Sequence, residues 1–168
     1  MGTIRKIGLG GGCHWCTEAV FQSLRGVSEV AQGFVASEGD ASTFSEAIVV
    51  AFDPDEIPLE VLVRIHLLTH ESTVVHSLRT KYRSAIYTME PGDRQELEDM
   101  WEGLQAEFGD KLVTQILPFR EFTPSAERFH NYYYADREKP FCKKHIDPKL
   151  KRLQEKFAKY VVSGKGKS

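Results

Sequence analysis

Residues 4–26 read Ile4-Arg5-Lys6-Ile7-Gly8-Leu9-Gly10-Gly11-Gly12-Cys13-His14-Trp15-Cys16-Thr17-Glu18-Ala19-Val20-Phe21-Gln22-Ser23-Leu24-Arg25-Gly26. Ile4 to Leu9 predicts a short strand, and it runs directly into a glycine triplet. From Cys13 to Leu24 the pattern changes to a helical one: Cys16, Val20 and Leu24 share a face, and Gly26 is a stop signal. Strand, glycine turn and helix in succession place Cys13 where a helix begins. Unpaired backbone N–H groups and the positive end of the helix dipole gather there, and both favour a thiolate, the form in which sulfur is a nucleophile. The glycines carry no Cβ, so a substrate can approach the sulfur closely. The competing explanation is a small buried packing residue; the glycine-rich setting argues against it.

Working outward, Val27 to Val35 and Ala47 to Phe52 read as strands joined by a polar turn at Ser37-Glu38-Gly39-Asp40. Pro58 suits the first turn of a helix with Leu59, Leu62, Val63 and His66 on one face. Ser84 to Thr88 is a strand. Pro91 opens a helix with Leu97, Met100, Trp101, Leu104 and Phe108 on its buried stripe, ended by Gly109. Leu112 to Phe119 is a further strand, and helical segments follow at Ser125 to Tyr134 and Pro148 to Val161. The order β-α-β-β-α-β-α-β with a helical C-terminal tail predicts an α+β fold. Its first six elements match a ferredoxin-like split βαβ core, with helices packed on a mostly antiparallel sheet. One domain over residues 1–162 is expected, with a disordered basic tail at 163–168.

At 168 residues the chain is long enough for a substantial core. Hydrophobic residues at 41% and charged residues at 27% are ordinary for a globular protein. A net charge of −2 supplies no electrostatic footprint for nucleic acid or an anionic membrane. No apolar run reaches the ~20 residues of a membrane span, and Met1 to Lys6 lacks the apolar stretch of a signal peptide. A cytoplasmic location and a monomer are the expectations. The three cysteines, Cys13, Cys16 and Cys142, make an odd count, which argues against a structural disulfide framework. Cys13 and Cys16 stand one helical turn apart, a spacing found in dithiol oxidoreductases and also compatible with zinc. A second Cys-x-x-Cys to complete a zinc site is missing from the sequence, and no metal is expected.

Several segments together resemble one family. Gly12-Cys13-His14-Trp15-Cys16-Thr17-Glu18 resembles the Gly-Cys-Phe-Trp-Gly/Cys signature of the A-type peptide methionine sulfoxide reductases. Phe44-Ser45-Glu46-Ala47, and the strand onward to Asp53-Pro54, is similar to that family's acidic motif. Tyr82-Arg83-Ser84-Ala85-Ile86-Tyr87 closely resembles another of its motifs. Ala126-Glu127 with Phe129-His130-Asn131, and Pro140-Phe141-Cys142 with Asp147-Pro148-Lys149-Leu150, extend the match toward the C-terminus.

The resemblance implies reduction of the S epimer of methionine sulfoxide, free or within a peptide, by a cysteine that becomes a sulfenic acid. A second thiol then forms a disulfide with it, and thioredoxin or another external thiol restores the enzyme without a bound cofactor. It implies Cys13 as nucleophile and Glu46 as the acid that protonates the sulfoxide oxygen. An acid of this kind works best when burial raises its pKa. Tyr82 is implied to hydrogen-bond the same oxygen, and Trp15 to wall the pocket for the substrate's methyl group. His130 is implied to brace that wall. Cys16 and Cys142 both stand as candidate resolving thiols, Cys16 having the shorter path.

The chain departs from the family pattern at three places. His14 stands where the family has Phe, and an imidazolium beside Cys13 favours its thiolate. Ser77 replaces an Asp, and the loop from Ala36 to Thr43 is short and lacks a tyrosine found in the family. Each lost preorganised donor costs roughly 10²–10³ in rate, so lower activity or a shifted sulfoxide substrate is implied. Two other functions fit the cysteine pair: a general dithiol–disulfide oxidoreductase, and a non-catalytic module that binds oxidised methionine or a partner. His66 and His70 are spaced for a metal but lack the His-Glu-x-x-His pattern, and His66 is expected to be a packed, hydrogen-bonded residue. Tyr132, Tyr133 and Tyr134 lack the neighbouring basic groove of a nucleic-acid platform.

Overall fold

The computed structural model describes residues 4–11, 14–69, 83–108, 112–125 and 147–161, without the side chains of residues 14–16, 69, 147 and 149. Strand β1 (Arg5–Gly10) leads into helix α1 (His14–Gln22), then strands β2 (Val27–Ala36) and β3 (Ser45–Phe52). Helix α2 (Leu59–Thr69), strand β4 (Ala85–Thr88) and helix α3 (Asp93–Ala106) follow. Two short strands, β5 (Gln115–Pro118) and β6 (Glu121–Pro124), precede helix α4 (Asp147–Phe157). The fold is α+β, built on one six-stranded mixed sheet of order β5-β4-β1-β3-β2-β6.

Alternation along the strands decides what each face covers. Leu9 of β1 pairs with Ile48 of β3 on one side and Ile86 of β4 on the other, so all three project to the same face. Ile7, Ile48, Val50, Phe52 and Ile86 form a single core with Val20, Phe21 and Leu24 of α1, Leu62, Val63 and Ile65 of α2, Leu97 and Leu104 of α3, and Leu153 of α4. Each such side chain contributes about 1.5–3 kcal/mol when fully buried. The opposite face carries a smaller cluster of Val35, Ala47, Ala85 and Tyr87, with Phe122 of β6 packed against it. β3 lies near the centre of the sheet and is covered on both faces, which is why its sequence is almost continuously apolar.

The predicted elements correspond closely through α2, with β1 displaced by one residue toward Gly10 and β3 starting earlier, at Ser45. Further along the chain the structure corrects the expectation. The strand expected from Leu112 to Phe119 is confined to Gln115–Pro118, because the Leu112 N–H donates to the Gln105 side chain, 3.0 Å away, rather than to a ladder. An unforeseen strand, β6, then pairs antiparallel with β2. β5 pairs with β4 in parallel, which makes the sheet mixed. α3 ends at Ala106, before the predicted Phe108. The expected helix at Ser125 to Tyr134 falls, beyond Ser125, outside the described residues, as does the tail.

Candidate active site

Three chain segments converge at one end of the sheet. β1 runs antiparallel to both of its neighbours, so its C-terminal end meets the beginnings of β3 and β4: Gly10 pairs with Ala47 on one side and Ala85 on the other. Gly11, at φ 130°, turns the chain out of the sheet, and His14 opens α1. Glu46 directly precedes Ala47. It pairs across β2 with Phe34 and shares the face of Ile48, Val50 and Phe52. That is the face on which α1 packs, so Glu46 stands at the end of the sheet where α1 begins. Only 7% of Glu46 is exposed, where a carboxylate on an edge would be largely solvated.

The backbone there is tightly packed. A Cβ on Gly10 would lie 2.9 Å from the Arg83 carbonyl oxygen and 3.3 Å from that of Glu46. Glycine at this position is therefore what lets the three segments approach. Helix α2 also holds the end of β1. His66 is 1% exposed, and its ring lies with Nε2 2.8 Å from the Gly10 carbonyl oxygen. A carbonyl only accepts, so the tautomer is the one with Nε2–H.

On the opposite sheet face Arg83 is almost fully buried. Its Nη2 donates to both the carbonyl oxygen and Oγ1 of Thr43 at 2.8 Å, and its Nη1 to Tyr87 Oη at 3.1 Å. The Arg83 main-chain N–H donates to Ser45 Oγ at 2.7 Å. Burial pushes the Tyr87 phenol above its ordinary pKa of 10.0, while the Arg83 charge and hydrogen bond act in the opposite direction. Beside Arg83, Ser84 Oγ shares a 2.7 Å hydrogen bond with Thr114 Oγ1. Phe44, between Thr43 and Ser45, is 43% exposed, a large apolar ring at the rim next to the acid.

Of the sequence-predicted site residues, Glu46 is fully described. His14, Trp15 and Cys16 are placed on the first turn of α1 by their backbone alone. Cys13, Ser77, Tyr82, His130 and Cys142 lie outside the described residues, as does His70. Sequence reasoning assigned no role to Arg83, Thr43 or Ser45, and gave Gly10 only the general one of leaving room beside the sulfur. Arg83 stood inside the Tyr82-to-Tyr87 motif, where a charged residue just ahead of a buried strand was the available signal. Glu18 on α1 is also buried, and it too was quoted only as part of a motif. Among the described residues, no group of three or more His, Cys, Asp or Glu could hold a metal ion. No helix among them is long and apolar enough to cross a membrane.

The α+β sheet thus ends in a strand–glycine turn–helix with a buried carboxylate at the same end. The model of the family described as peptide methionine sulfoxide reductase matches residues 5–161, and the chain belongs to that family. It is 31% identical over 163 residues to the peptide methionine sulfoxide reductase MsrA of Sulfolobus acidocaldarius, covering 89% of this chain and 93% of that one. The fold is that of Saccharomyces cerevisiae Mxr1 in its reduced form, with a TM-score of 0.71 at 23% identity over 84% of this chain and 91% of Mxr1. Mxr1 in complex with Trx2 is similar at a TM-score of 0.61 and 25% identity, over 76% of this chain and 84% of that one. The chain is a peptide-methionine (S)-S-oxide reductase, an oxidoreductase that reduces methionine sulfoxide with a thiol.

Proposed function

We propose that Cys13 attacks the sulfoxide sulfur while Glu46 delivers a proton to the departing oxygen. The thiolate, the sulfoxide and one proton become the thioether of methionine and a Cys13 sulfenic acid, the cysteine having taken the oxygen. A second thiol, from Cys16 or Cys142, displaces water to give a disulfide. An external dithiol then reduces that disulfide and is itself oxidised. The observation that carries this reading is the placement of Glu46: buried, one residue past the Gly10–Ala47 pair, on the face where α1 begins. Burial of Glu46 keeps water from competing for the proton's destination.

In this reading Tyr82 donates a hydrogen bond to the sulfoxide oxygen, Trp15 walls the methyl pocket, and His14, Ser77 and His130 face the substrate. The complex of Mxr1 with Trx2 supports a thioredoxin-like dithiol as the partner, and in this reading the enzyme works without a bound cofactor. The substrate is oxidised methionine in peptides or proteins, and the protein acts as a cytoplasmic monomer, one domain over residues 1–162 with a basic tail. The order β4-β1-β3-β2 within the sheet supports the split βαβ, ferredoxin-like description of its centre.

The test is a reductant-coupled assay on separated epimers of a methionine sulfoxide peptide. Wild-type protein consumes the S epimer, Cys13→Ser releases no methionine, and Glu46→Gln slows release by about 10²–10⁴-fold. Turnover by Cys13→Ser would discard the mechanism. Mass spectrometry after one turnover identifies the resolving cysteine.

A further inference from the structure

We propose that Arg83 is a positioning residue that holds Glu46 in place through Thr43 and Ser45; the proposal rests on the reading of Glu46 as the proton donor. β3 keeps its ladder with β2 as far as Ser45, where Val35 is the partner. On its other edge the ladder with β1 stops at Ala47, because the chain leaves the sheet after Gly10. Glu46 therefore sits one residue beyond the support that β1 gives. β4 is not adjacent to β3; β1 lies between them. Among the described residues, Arg83, which stands just ahead of β4, bridges that gap past the end of β1.

It grips the start of β3 at three atoms. The guanidinium takes the carbonyl and hydroxyl oxygens of Thr43, and the main-chain N–H takes the Ser45 hydroxyl, the last residue before Glu46. Nη1 is anchored in turn on Tyr87 Oη, within β4. A buried guanidinium is tolerated only when its donors are paired, and here both terminal nitrogens donate to neutral oxygens. The planar fork matches two acceptors on one residue, which a lysine ammonium cannot reproduce with the same geometry. Arg83 lies on the sheet face opposite Glu46, so it does not touch the substrate. It acts on the backbone from which the acid projects, and a misplacement of about 1 Å there can cost 10²-fold in rate.

The experiment is a double-mutant cycle read by methionine released in a single turnover. Arg83→Lys is introduced into the wild type and into Glu46→Gln. Arg83→Lys alone is expected to slow release by about 10- to 100-fold. In the Glu46→Gln background it is expected to slow release no further, because the group it positions is gone. In steady-state assays kcat is expected to fall in Arg83→Lys with KM for the sulfoxide peptide unchanged, while the rate of Cys13 alkylation by iodoacetamide, followed by peptide mapping, also stays unchanged. Equal slowing in both backgrounds, or full activity of Arg83→Lys, overturns the proposal. Should Arg83→Lys fail to fold, Thr43→Val removes one acceptor and carries the same cycle. If Glu46→Gln turns over as fast as wild type, the assignment of the acid fails and the proposal falls with it. That result is distinct from the additive one.

Discussion

Replacing Gly10 by alanine tests whether the convergence of three backbones, rather than any single side chain, builds the site. The added methyl would sit 2.9 Å from the Arg83 carbonyl oxygen, 3.2 Å from Tyr87 Cε2 and 3.3 Å from the Glu46 carbonyl oxygen. The first contact is with backbone in a packed sheet, so relief requires a segment to move by several tenths of an ångström. Overpacking of this kind costs about 1–3 kcal/mol. In a protein of this length that corresponds to a fall in Tm of roughly 2–4 °C per kcal/mol. A typical domain keeps ~5–15 kcal/mol of stability, so the variant remains folded at assay temperature. The movement nevertheless falls on the chain that carries Glu46, and kcat is expected to drop by about 10- to 100-fold. Gly26→Ala is the control. Gly26 adopts φ 90°, and its Cβ would lie 2.9 Å from Glu56 Cβ and Ile57 Cγ2, at the other end of α1 from the site. It should lose comparable stability while keeping wild-type kcat. Thermal melts beside reductant-coupled initial rates separate the two variants. Wild-type kcat in Gly10→Ala, or an equal loss in Gly26→Ala, would refute the argument.

Two further outcomes follow from buried polar groups near this end of the sheet. His66→Leu removes the 2.8 Å bond from Nε2 to the Gly10 carbonyl and should cost about 1–3 kcal/mol, read as a lower urea midpoint with unchanged m. Tyr87 holds its proton more tightly in the folded protein than in the unfolded chain, chiefly through burial. Its contribution is therefore complete below pH 10 and declines as pH rises above 10, because the unfolded chain releases that proton first. Alkaline denaturation curves should show this decline in wild type and a shallower one in Tyr87→Phe; equal slopes would count against the buried-phenol explanation.

How much of this was legible in advance depended on whether the cause was local. The strand–glycine–helix sequence at 4–26 carries its own periodicity and stop signals, so β1 and α1 could be read directly, as could His66 on the apolar stripe of α2. β6 could not. Glu121–Pro124 has Phe122 as its lone non-proline apolar residue, and that ring packs on the smaller cluster while the neighbouring positions are solvated. Its strand character comes from pairing with β2, a partner some ninety residues earlier, and nothing in its own pattern announces that. Leu112 misled for the converse reason. It is apolar and buried, as in a strand, yet its N–H is taken by the Gln105 side chain.

A related distinction separates Glu46, which was readable, from Arg83, which was not. Glu46 stands just ahead of the predicted strand, where its own surroundings read as a surface carboxylate, and only the resemblance of Phe44-Ser45-Glu46-Ala47 to a family motif singled it out. Arg83 also stood inside a quoted motif, but its role is visible only when Thr43 and Ser45 are brought beside it across the missing end of β1. The early end of β1 is thus doubly useful. It frees the chain for the glycine turn that leads to Cys13, and it opens the gap through which Arg83 reaches the strand bearing the acid. A β1 longer by two residues would pair with Glu46 and Ser45 on one side and Ser84 and Arg83 on the other, occupy that gap and displace the turn. The shortness of one strand therefore ties the start of α1 to the strand that carries Glu46.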